Sequence, residues 1–167
     1  ANVQGETIAE ITIQLDTLSP TGQLAVPGAG GVTNQDLGYV EILWSDAGTA
    51  GIDPATLDAG DVTLSGVSVD RAESLGGGLV RYWYNEDGDA LPEGTVQVQA
   101  AEGAVSDRAG NASLAAAVDF TVDRQALGGQ LADPVPASVT NQDQGYVEIL
   151  WNDGSGGSQL DTFTFGI

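Results

Sequence analysis

Apolar and polar residues alternate with a period of two in short runs along most of the chain. Clusters of Gly, Asp, Asn, Ser and Pro separate the runs, the pattern of strands with one buried face joined by turns. Ile8, Ile11, Ile13 and Leu15 oppose Thr12 and Gln14, which predicts a strand over 7–15 that the turn residues 16–22 end. Residues 23–26 predict an edge strand. The clearest strand is 39–44: Val40, Ile42 and Trp44 form its core face, and Tyr39, Glu41 and Leu43 face out, which leaves Glu41 in solvent. A helical turn is expected at 54–57 with Asp53 as its cap. Val62, Leu64, Val67 and Val69 predict a strand broken at Gly66 by a bulge or a close approach. Val80, Tyr82 and Tyr84 oppose Arg81 and Trp83 in the next, Val96 and Val98 oppose Gln97 and Gln99, and 118–122 is the last; 114–117 reads as its lead-in. About seven short strands with no long amphipathic helix predict an all-β fold of two packed sheets.

The strongest of these strands occurs twice. Residues 32–44 return as 139–151 with only Leu37 replaced, by Gln144, and 22–46 match 129–153 at 18 of 25 positions at a constant offset of 107 residues. That spacing is the size of a small globular module. The expected organisation is a leftover last strand in 1–15, a complete module over 16–123, and the first strands of a truncated second module in 124–167. Val147, Ile149 and Trp151 would repeat the core face. The tail 161–167 aligns with 61–67 at an offset of 100, which predicts a counterpart of the strand starting at Val62. The second copy would leave an apolar face and open edges. Two explanations stand: a section of a longer tandem array, or a subunit that self-assembles by accepting a strand from another chain.

Composition narrows the chemistry. There is no Cys, no His and no Lys, so disulfides, thiolate metal sites, the commonest zinc ligand and the commonest general base are absent. Four Arg against 24 Asp and Glu give a net charge of −20. Such a surface repels nucleic acid and anionic lipid and attracts divalent cations. No run of about 18 apolar residues predicts a transmembrane segment, and no signal peptide is present at Ala1. The glycine run 76–78 is followed by neither Lys-Ser/Thr nor a helix, so it is not a phosphate cradle. Without a base beside any Ser or Thr, no catalytic residues are assigned and the chain is expected not to be an enzyme.

The candidate ligands are oxygens. Asn85, Asp87 and Asp89 crowd one turn with Glu86, a donor set suited to calcium. Asn34 and Asp36 precede the strongest strand and recur as Asn141 and Asp143. Asp16, Asp107 and Asp123 lie near the expected module junctions, where a bound calcium would stiffen the array; turn capping explains the same residues without an ion. Tyr82, Trp83 and Tyr84 are consecutive, so one side of the strand presents rings outward. Such rings could stack on a polysaccharide, or pack beside Arg81.

Three segments in order resemble bacterial immunoglobulin-like tandem repeats. Asp16-Thr17-Leu18-Ser19-Pro20-Thr21 is similar to their D-T-x-x-P-T opening. Val105-Ser106-Asp107-Arg108-Ala109-Gly110-Asn111 is similar to their V-x-D-x-A-G-N segment, and 51–57 with 61–66 resembles their middle. The second copy departs at its opening, where Arg124-Gln125-Ala126-Leu127 stands. The resemblance implies an immunoglobulin-like Greek-key β-sandwich in a secreted or cell-surface adhesin or secreted protein, with Asp16 and Asp107 as junction calcium ligands. The expected function is a non-catalytic extracellular spacer or adhesion module whose partners are neighbouring modules of the same chain; the alternatives are a polysaccharide-binding module and the self-assembling subunit.

Overall fold

The alternating runs close into two sheets. The computed structural model describes residues 12–133, 146–152 and 163–164, and the chain divides into two compact units, Ala1–Asp123 and Arg124–Ile167. The first unit contains β1 (Thr21–Val26), β2 (Val32–Thr33), β3 (Tyr39–Ser45), β4 (Val62–Leu64), β5 (Arg71–Gly76), β6 (Leu79–Trp83), β7 (Gly94–Ala100) and β8 (Ala116–Val122). One sheet has the order β1-β3-β6-β5 and the other β2-β8-β7-β4. Every pairing is antiparallel except the short parallel β2–β8 pair.

Period two decides what enters the core. Val40, Ile42 and Trp44 of β3, as expected, join Val80 and Tyr82 of β6, Tyr84, Val96 and Val98 of β7, and Phe120 and Val122 of β8 in one buried cluster. Each large apolar side chain so buried contributes roughly 1.5–3 kcal/mol. The unit is an all-β sandwich. Its core also holds a polar chain: the Trp44 Nε1–H donates to Tyr82 Oη at 2.8 Å, and Tyr82 donates to Asp61 Oδ2 at 2.9 Å. Rings this large enter a core fully only when their polar ends find partners.

Several expectations change. Glu41 is not solvated: it is 8% exposed and accepts from Arg81 Nε at 3.0 Å and from its second nitrogen at 2.7 Å. The strand from Val62 stops at Leu64, and Gly66, with φ +91°, turns the chain so that Val67 bridges back to Leu64. β5 was unmarked, because Arg71 and Glu73 alternate with small residues rather than large apolar ones. Residues 12–15 form no strand, and the earlier part of that prediction lies outside the described residues. The turn after Asp53 does form, over Pro54–Thr56, with the Asp53 side chain accepting from the Ala55 N–H.

The second unit contains β9 (Gly128–Asp133), β10 (Glu148–Asn152) and β11 (Phe163–Thr164), in the order β11-β10-β9. Its register repeats the first. Thr21↔Ser45, Gly22↔Trp44, Gln23↔Leu43 and Leu24↔Ile42 become Gly128↔Asn152, Gly129↔Trp151, Gln130↔Leu150 and Leu131↔Ile149. The bulge that gives Val26↔Glu41 returns as Asp133↔Glu148. A Cβ on Gly22 would stand 2.9 Å from the Trp44 ring, and one on Gly129 2.9 Å from the Trp151 ring. Both tryptophans therefore lie flat across a glycine.

The tail corrects its alignment. Phe163 pairs with Ile149 and Thr164 with Glu148, the places that Val80 and Arg81 of β6 take on Ile42 and Glu41. β11 thus fills the slot of β6, whereas β4 belongs to the other sheet. Val147, Ile149 and Trp151, expected in a core, are only half-buried. Among the described residues of this unit, no second sheet faces them.

Candidate functional site

Three carboxylates from distant parts of the first unit meet at one point. Asp16 precedes β1, Asp46 follows β3, and Asp107 lies between β7 and β8; one oxygen from each lies within 4.8 Å of the others. Asp46 is set by its own loop, with Oδ1 accepting from the Gly48 N–H and Oδ2 from the Gly51 N–H, both at 2.8 Å. Asp107 is 2% exposed, and Asn111 holds it, donating from the backbone to Oδ1 at 2.8 Å and from Nδ2 to Oδ2 at 2.7 Å. Asp16 reaches in from the incoming chain. Its Oδ2 accepts from the Thr49 and Ala50 N–H groups at 2.6 and 2.7 Å, and its Oδ1 from Leu18 at 3.1 Å. The Asn111 side chain also donates to the Asp16 carbonyl at 3.1 Å. Gly48 is required here, because a Cβ on it would collide with the Asp16 carboxylate.

The electrostatics keep Asp16 and Asp107 charged. Hydrogen bonds from Leu18, Ala50 and Thr49 hold Asp16 below the ordinary carboxylate range despite some desolvation. Burial pushes the Asp107 carboxyl up, but the donors of Asn111 and Ala109 outweigh it and leave the group lowered. The guanidinium of nearby Arg108 donates to the Ala50 carbonyl at 3.2 Å, and its backbone N–H donates to the Gly51 carbonyl. Asp46 and Arg108 are the charged residues lining an adjoining groove of about 550 Å³, whose apolar wall includes Leu43, Ile52, Pro54 and Leu57.

Asp16 and Asp107 are thus brought together, and Asp46, which the sequence reading did not name, joins them. Its signal was weak but present: Asp46, Gly48 and Gly51 form a short Asp–Gly loop directly after the clearest strand. The other candidates form no second trio of carboxylates among the described residues. Asp36 pins its loop to the body: Oδ1 accepts from the Tyr84 hydroxyl at 2.6 Å and the Gly38 N–H at 3.2 Å, and Oδ2 from the Leu91 N–H at 3.0 Å. Asn34 is exposed. In the 85–89 turn, Glu86 pairs with Arg71 and Asp89 accepts a long 3.5 Å bond from Ser68. Asn85, Asp87 and Asp89 build no site with three converging carboxylates. Asp123 is not in the cluster; its N–H donates to Thr33. Asn141 and Asp143 lie outside the described residues.

The aromatic candidates split. Tyr82 and Tyr84 are buried and present no face to a sugar, because the period of β6 turns them inward with Val80. Trp83 faces outward but is covered: the Arg71 guanidinium lies 4.6 Å and that of Arg81 5.3 Å from its ring centroid, Tyr39 meets it edge-on at 5.1 Å, and its N–H donates to Glu73 at 3.0 Å. Two cross-strand rows, Tyr39–Trp83–Arg71 and Glu41–Arg81–Glu73, thus seal this outer face. No helix among the described residues is long and apolar enough to cross a membrane.

Comparison with family models, with curated proteins and with solved structures gave no match to the chain.

Proposed function

We propose that the chain is a non-catalytic extracellular spacer or adhesion module of the bacterial immunoglobulin-like kind, whose incoming segment is clamped by a divalent cation, most suitably calcium. The observation that carries this reading is the meeting of Asp16, Asp46 and Asp107 where the chain enters the sandwich. Two loops of the module body contribute Asp46 and Asp107, whereas Asp16 belongs to the connecting segment. An ion bridging them would tie the connection to the body and remove a hinge. Hard oxygen donors from several loops suit calcium, which accepts irregular geometry, better than magnesium. Relief of repulsion among three carboxylates supplies the driving force. The role is mechanical: successive modules set reach, and clamped connections hold direction.

The test is a thermal melt in chelator, in calcium and in magnesium at matched ionic strength, repeated on Asp46→Asn. A ligand of the folded state alone raises its stability with concentration. The expected result is a rise specific to calcium in the parent that is lost in the variant. Equal melting in all three media would overturn the cation clamp.

A further inference from the structure

Segment 12–15 and the β9–β10 pair expose complementary halves of one interface. Within the first unit, β8 closes the apolar face of the opposite sheet, with Phe120 and Val122 only 1% and 0% exposed. Counting back 107 residues, Phe120 and Val122 correspond to Ile13 and Leu15, and Asp123 to Asp16. Ile13 and Leu15 are each 85% exposed. At the other end, β9 and β10 repeat the β1–β3 pair residue for residue, bulge included. Yet Leu131 is 37% exposed where Leu24 is 5%, and Ile149 and Trp151 are half-buried where Ile42 and Trp44 are buried. Among the described residues, segment 12–15 thus resembles β8 but covers no sheet, and β9–β10 resembles β1–β3 but is covered by no strand like β8.

We propose that the segment 12–15 of one copy of this chain docks on the β9–β10 face of a second copy, as β8 closes the β1–β3 face within the first unit. Ile13 and Leu15 lie over the face that Leu131, Val147, Ile149 and Trp151 present. The interaction continues an interface the fold already contains. The segment is also uncharged, so it adds nothing to the repulsion of a chain of net charge −20. One gap in the core is lined by Gly22 with Ala116, and another by Pro27 with Phe120. β1 and β8 therefore run the same way, and Leu15 and Asp123 lie at opposite ends of the first unit. Each contact joins the donor segment of one copy to the acceptor face of another, so its two sides are different surfaces. A single short strand on a three-stranded sheet buries less than the roughly 1,200 Å² of a stable complex. Assembly is therefore weak and grows with concentration.

Sedimentation velocity on the full chain, from about 10 μM to about 1 mM, tests this. Chelator keeps the result independent of the cation reading, and about 0.5 M salt screens self-repulsion. The expected result is a mean mass that rises roughly twofold or more with concentration. Ile13→Asp with Leu15→Asp removes the donor, and Leu131→Asp the acceptor, so each variant alone stays monomeric. Ile13 and Leu15 lie outside any strand, so their replacement leaves the melt of the first unit unchanged. Mixing the two variants restores one donor and one acceptor and gives a dimer that grows no further. A parent chain monomeric throughout, a donor variant that still associates, or a mixture that stays monomeric would each overturn the proposal.

Discussion

Asp61 ought to make this protein more stable as the pH falls, which is unusual for a carboxylate held by hydrogen bonds. It ends the short 3-10 turn Ala59–Asp61, is buried, and accepts from Tyr82 Oη at 2.9 Å and from the Asp58 N–H at 3.0 Å. Burial pushes its carboxyl up from 3.8 to about 6, against the hydrogen bonds of Asp58 and Tyr82 and with the Asp58 charge adding to the rise. The folded state therefore holds the proton more tightly than the unfolded chain. Ionising Asp61 costs about 3 kcal/mol above the folded value, at about 1.4 kcal/mol per pH unit. That cost fades as pH falls through 6 and is gone below the unfolded value. Asp61→Asn imitates the neutral acid at every pH. Urea unfolding should show the variant about 2–3 kcal/mol more stable at pH 7 and within about 1 kcal/mol of the parent at pH 4. Twenty-three other acidic residues titrate in both proteins and cancel in the difference. A difference between the two proteins that does not change with pH would refute the argument.

Other expectations can be checked in the same way. Tyr82→Phe leaves the Trp44 N–H buried without its acceptor and takes from Asp61 one of its two donors, so it should cost about 2–4 kcal/mol in urea unfolding; a loss below about 0.5 kcal/mol would mean water replaces the hydroxyl. Gly22→Ala forces a methyl into the Trp44 ring and should cost about 1–3 kcal/mol. Gly129→Ala makes the same contact with Trp151 but should cost clearly less, because that ring is half-buried and can move; equal losses would contradict the open face of the second unit. Gly48→Ala displaces the Asp16 carboxylate. It should abolish the calcium-dependent part of the melting rise while shifting the melt in chelator far less.

The sandwich was legible because large apolar residues mark its inner faces at period two, and the repeat fixed where the second copy of β3 would fall. What stayed hidden had no apolar signature. β5 carries Arg71 and Glu73 outward and only Ala72 inward, so its strand character lies in pairing with β6. Glu41 looked like a solvent-facing residue until Arg81 was found opposite it on the neighbouring strand. Nor does sequence distance show that Asp46 lies beside Asp16 and Asp107, since three loops must fold before they meet. The tail matched the segment from Asp61 in its Asp and Gly alone, yet it pairs in the slot of β6. A two-residue strand is placed by whichever edge is open, and that edge was β10.

The matched hairpins also bear on how the chain acquires its structure. β1–β3 and β9–β10 differ little in sequence and share one register, so both present the same template to β8. During synthesis the first hairpin emerges 107 residues ahead of its copy, a lead of roughly 5–20 s at about 5–20 residues per second. β8 therefore meets the correct template before the competitor exists. Refolding from denaturant offers both at once, and a fraction of molecules should close over the wrong hairpin and recover slowly. Refolding of the first unit alone would lack that slow phase. The order of synthesis thus offers β8 its own template first.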